Sequence, residues 1–188
     1  MRYASTHVAL CVTDKLLASQ RSELVSYVTS SYWLLPESAR QSYIFEGLAH
    51  AALRNGGKMR IRELGHGDRN TSSIRLPRLQ PHSFQDVSQV DLTQDRYYYP
   101  LSKNVAAVDS ISPAGLFLIT VSPDCPIKAE QLTTLVEQLG LTRLYFVVPP
   151  ALFDSFASQS FVAQDGKVIE PLPSPLDAVK LFALDLQL

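Results

Sequence analysis

Apolar residues recur at helical and strand spacings along most of this 188-residue chain. Val8, Val12 and Leu16 fall at i, i+4 and i+8, and Leu24 with Val28 continues that spacing, which predicts two short helical pieces between about Ser5 and Ser30. Pro36 and Glu37 suit the first turn of a stronger helix that runs to about Arg54. Ile44, Leu48 and Ala51 share one face of it, and Asn55-Gly56-Gly57 is its stop signal. Lys58-Met59-Arg60-Ile61-Arg62 then alternates polar and apolar, the mark of a half-buried strand. From about residue 65 to 95 the chain is polar and irregular, which predicts a long surface loop.

The second half is more sharply patterned. Val105 to Ser110 is a short apolar run ending in an acid, Ser112-Pro113-Ala114-Gly115 is turn chemistry, and Leu116 to Val121 reads as a continuous apolar strand. Pro126 to Gly140 is expected to be a helix with Ile127, Leu132, Leu135, Val136 and Leu139 as its apolar positions. Leu144 to Val148 is a second buried strand, closed by Pro149-Pro150, and a proline-punctuated stretch leads to a last amphipathic element from Leu176 to Leu188. A helix between two buried strands makes a βαβ crossover, so the fold class is α/β, a mixed sheet flanked by helices. The expected organisation is an N-terminal helical extension over residues 1–34 and one α/β domain over 35–188.

Composition narrows the classes. An apolar fraction of 46% is too high for a disordered chain, and no segment approaches the roughly 18 uninterrupted apolar residues of a membrane span. Two cysteines, Cys11 and Cys125, make neither a disulfide framework nor a zinc finger by themselves, which suits a reducing compartment. The apolar patch His7–Val12 is short for a signal-peptide core and has no small-residue cleavage site after it, so an unexported chain or a mature fragment is expected. A formal charge of −1 excludes a strongly basic nucleic-acid binder on average charge. The charge is unevenly placed, however. Between Arg54 and Arg78 lie Arg54, Lys58, Arg60, Arg62, Arg69, Arg75 and Arg78 against only Glu63 and Asp68. Such segregation makes either a positive binding face or an edge strand and loop kept soluble by arginine.

The order of several blocks is similar to one known family. Ile44-Phe45-Glu46-Gly47-Leu48-Ala49-His50 followed by Arg54-Asn55-Gly56-Gly57 resembles the opening of a restriction-endonuclease-like domain, specifically the C-terminal domains of Crinkler effectors and retrotransposon hot-spot proteins. Tyr99 to Asn104, Ala107 to Ser110, Leu116 to Ser122 and Pro126 to Lys128 look like that family's central block. Leu144 to Pro149, with Phe153, Phe156 and Gln159, looks like its closing block. The resemblance covers about residues 40 to 162 and implies a restriction-endonuclease-like mixed sheet.

It also implies a PD-(D/E)XK-type nuclease, in which hard oxygen ligands hold Mg²⁺ to polarise the scissile phosphate and activate a water. Carried over by position, Glu46 is the helix acid and Asp109 the strand-end acid, together the implied metal ligands. Thr120 stands where the wider superfamily has its lysine, a replacement this branch often shows. Two departures follow: Leu118 occupies the position of an acid or glutamine, and Cys125 that of a histidine. Lys58, Arg60, Arg62 and Lys103 are the expected phosphate contacts. The resemblance further implies an effector acting in the nucleus or cytoplasm of a host cell, often triggering cell death. DNA and a host protein are the partners it suggests.

Plainer accounts stand beside each residue. Glu46 and His50 are one helical turn apart and suit an i,i+4 pair, and Asp109 suits an Asx-type turn cap. Tyr97-Tyr98-Tyr99 suits either base stacking or packing over a sheet, and Cys125 suits packing. His66 and His82 have no metal-ligand spacing, and no P-loop is present. Three functions therefore remain open: a degenerate nuclease fold that binds nucleic acid, an active Mg²⁺-dependent endonuclease, and a protein-interaction module.

Overall fold

A computed structural model describes residues 38–65, 70–102 and 107–186, together with Lys15, Ser19, Ser22, Glu23 and Ser26. Those five are helical and exposed. The rest of the expected N-terminal extension lies outside the described residues, as does Lys103.

The helix expected to end near Arg54 is α1, Ser38–Asn55. It stops because Gly56 takes a left-handed conformation, φ 70°. A side chain there would also collide, since a Cβ would lie 2.5 Å from the Leu76 carbonyl oxygen. The alternating cations follow on β1, Gly57–Glu63. The order continues with β2 Thr71–Leu76, β3 Gln80–Phe84, β4 Arg96–Pro100, β5 Ser110–Ser112 and β6 Gly115–Ile119. Next come β7 Ile127–Lys128, α2 Ala129–Leu139, β8 Arg143–Val148, the single turn α3 Pro150–Phe153, β9 Phe161–Val162 and β10 Lys180–Asp185.

Eight strands form one mixed sheet in the order β2-β1-β10-β8-β6-β5-β4-β3, and β7 pairs with β9 in a small second sheet. β6, β8 and β10 are parallel, with Ile119 beside Val147 and Val148 beside Asp185. The expected crossover is β6-α2-β8. Helices cover both faces. Under α1, Phe45, Leu48 and Leu53 pack with Met59, Ile61, Phe117, Tyr145, Val147 and Leu184. On the other face, Leu132, Leu135 and Val136 of α2 pack with Leu116, Leu144, Phe146, Val148 and Ala183, joined by Phe153 and Phe156. β8 is buried on both faces, which is why it reads as an unbroken apolar run. The fold is α/β as the pattern indicates. No helix among the described residues is long and apolar enough to cross a membrane.

Three details differ from the expectation. The stretch 65–95 is not one loop: it holds β2, β3 and the 3₁₀ turn Val87–Gln89. β2 and β3 are the two edges of the sheet. An edge strand needs only one hydrogen-bonded side, so Thr71-Ser72-Ser73 and Gln80-Pro81-His82 stay too polar to show alternation. The C-terminal element includes β10, inserted between β1 and β8 rather than trailing the domain. Finally, Asp109 precedes β5 instead of ending a strand.

Candidate functional site

Tyr97 of β4 is fully enclosed, and its hydroxyl lies 2.6 Å from His50 Nδ1 on α1. Burial pushes the Tyr97 phenol well above the ordinary tyrosine range. The Ser110 hydroxyl and Arg54 oppose the rise, while the charges of Asp109 and Glu46 add to it. Glu46 stands on α1 and Asp109 on the approach to β5. Ser110 lies close enough to influence that phenol, although its buried Oγ makes no hydrogen bond of good geometry.

Asp109 holds the β5-β6 hairpin. Its Oδ2 accepts the Ile119 N–H at 2.7 Å, and its own N–H donates to the Phe117 carbonyl at 2.9 Å. The carboxylate thus closes the top of a cross-strand ladder, not a local Asx turn. Leu118, between those partners, packs against the α2-side core. Thr120 is buried just past β6: its N–H donates to the Val147 carbonyl at 3.0 Å, and its Oγ1 accepts the Ser122 N–H at 3.0 Å. Gln159 pins the turn that follows. Its Oε1 accepts the Cys125 N–H at 2.6 Å, and its Nε2 donates to the Pro123 and Ala157 carbonyls. Cys125 packs half-buried there, and burial pushes its thiol up, away from thiolate chemistry at neutral pH.

Magnesium needs a shell of hard oxygen donors. Leu118 offers none, the Thr120 hydroxyl is taken up in its own turn, and one Asp109 oxygen holds the Ile119 N–H. Among the described residues, no group of three or more His, Cys, Asp or Glu side chains is placed to hold a metal ion.

The cations of β1 have unequal surroundings. Lys58, Arg60 and Arg62 share a face opposite the buried Met59 and Ile61. Arg62 donates to the Phe153 and Phe156 carbonyls at 2.8 and 2.7 Å, capping the end of α3. Arg60 lies over the Phe153 ring, 4.7 Å from its centroid, and pairs with Asp185 at 3.3 Å and Asp154 at 3.8 Å. Lys58 is exposed, with no ion-pair partner among the described residues. Two of the expected phosphate contacts thus have partners inside the protein.

Tyr97, Tyr98 and Tyr99 are all buried, so they serve the sheet and not base stacking. The residues missed by sequence reading are Asp185, a buried acid at the end of β10, and Arg75, which faces Lys58 across the β1-β2 pair. The signal for Arg75 was present in the charge run. Asp185 gave none, because its partner Arg60 lies 125 positions away in the chain. Comparison with protein-family models, with curated proteins and with solved structures finds no match.

Proposed function

We propose that this chain is a degenerate nuclease-fold domain of the Crinkler-like kind, which binds nucleic acid and does not cut it efficiently. One observation carries the reading: Asp109 ties its carboxylate to the Ile119 backbone while the half-buried Leu118 beside it packs against the core. A carboxylate serving the hairpin, next to a hydrocarbon side chain, supports loss of metal-assisted hydrolysis with the fold retained. The uneven cation distribution supports a binding role for the end of the sheet that carries β1's first residues. Action inside a host cell, ending in cell death, belongs to the same proposal through the resemblance alone.

A working magnesium nuclease is the second reading, which the resemblance implies through Glu46 and Asp109. The test is fluorescence anisotropy with a mixed-sequence DNA duplex across a range of NaCl concentrations, with EDTA present. The expected result is saturable binding whose logarithm falls linearly with the logarithm of salt concentration. Absence of binding at low salt would overturn the proposal, and a specific complex with a protein instead would select the interaction module.

A further inference from the structure

We propose that the outer face of the β1-β2 ribbon is a phosphodiester-binding site built on Lys58 and Arg75, with the hydroxyls of Ser73 and Thr71 beside them. This rests on the nucleic-acid-binding reading and assigns the contact to particular residues.

The register carries the argument. Lys58 pairs directly with Arg75, and Arg60 with Ser73. Directly opposed residues point to the same face of a sheet, with Cβ atoms about 5 Å apart. Like charges in that position destabilise a sheet, because each raises the potential at the other. Here the repulsion is unrelieved: both side chains are exposed, and neither has a carboxylate partner among the described residues. Arg60 and Arg62, on the same strand face, do have internal partners. An anion between the Lys58 ammonium and the Arg75 guanidinium would turn that repulsion into two attractions. The guanidinium suits two phosphate oxygens at once, and the ammonium adds a point charge.

The neighbours fit the same ligand. Thr71 and Ser73 alternate with Arg75 along β2, so all three side chains share the Lys58 face, and all are exposed. Arg78 follows the strand and is also exposed. The pair sits at the sheet end that carries the candidate acids. Arg60 is level with Asp185, the last residue of β10, and Lys58 is two residues further out. Asp109 meets the outer end of β6 at the same end of the sheet. Three strand spacings separate β1 from β6, roughly 14 Å, a distance that one nucleic-acid backbone spans easily.

The test repeats the duplex titration with Lys58→Gln/Arg75→Gln and, as a control of equal charge change, Lys167→Gln/Lys180→Gln. Thermal unfolding confirms that both variants are folded. The expected result is roughly tenfold weaker binding by the first variant at low salt, with the salt slope reduced by about 2, and near-parent binding by the control. If the parent binds and the first variant matches it, or the control weakens as much, the site is refuted while the binding reading survives. If the parent itself does not bind, both fall together.

Discussion

The two ends of the cationic row on β1 show how one residue type can do two jobs. At the inner end, Arg62 caps α3 and Arg60 lies over Phe153 beside a buried Asp185, so both guanidiniums fasten the 150–156 turn to the sheet. At the outer end, Lys58 faces Arg75, and neither has an ion-pair partner among the described residues. The difference lies in what is opposite, not in the cations. An arginine next to free carbonyls at a helix end becomes part of the fold. A lysine next to another cation leaves a positive surface for a partner to neutralise.

Four variants separate these roles, beginning with the most damaging. Phe153→Ala removes a fully buried ring and the surface under Arg60, and is expected to cost about 3–5 kcal/mol in urea denaturation. A loss below about 1 kcal/mol would mean that the inner end does not hold the turn. Arg62→Ala leaves the Phe153 and Phe156 carbonyls without their charged donor and should cost about 2 kcal/mol, with DNA affinity unchanged at a temperature where the variant is folded. Weaker DNA binding by that folded variant would blur the division between the two ends.

Tyr97→Phe should cost about 1 kcal/mol near neutral pH through the lost bond to His50. Its pH dependence is more telling. A phenol whose pKa is raised by folding contributes stability that is present below the unfolded value near 10 and is lost as pH rises beyond it. The parent should therefore lose stability steeply in alkali, and Tyr97→Phe more gently, as followed by denaturation at a series of pH values. Identical alkaline slopes would show that the phenol is not held neutral by its surroundings. The smallest stability effect belongs to Lys58→Gln/Arg75→Gln: a change within about 0.5 kcal/mol of the parent, on the stabilising side because a like-charge pair is removed. A large loss would show structural roles for those cations after all.

Much of the domain was legible from local pattern. α1, β1, α2 and β8 lie close to where apolar spacing and stop signals place them, because each buries a continuous face or stripe. The edge strands β2 and β3 were hidden by their polarity. β10 was hidden because nothing local says that Leu181 to Asp185 lies in the middle of a sheet. The candidate site was legible only as a set of residue types. Glu46, Asp109 and Leu118 could be named only through the family resemblance. That Asp109 would bond the Ile119 backbone depends on the hairpin register, and that Arg62 would cap a turn depends on carbonyls 91 and 94 positions later. Long-range partners decide which charges are available, and no window of sequence contains them.

The most direct test of binding without cutting is a time course of supercoiled plasmid incubated with the protein in Mn²⁺, resolved on an agarose gel after protein removal. The DNA is expected to stay covalently closed at protein concentrations that retard it before deproteinisation. Nicking or linearisation that grows with time and disappears in Asp109→Ala would contradict it.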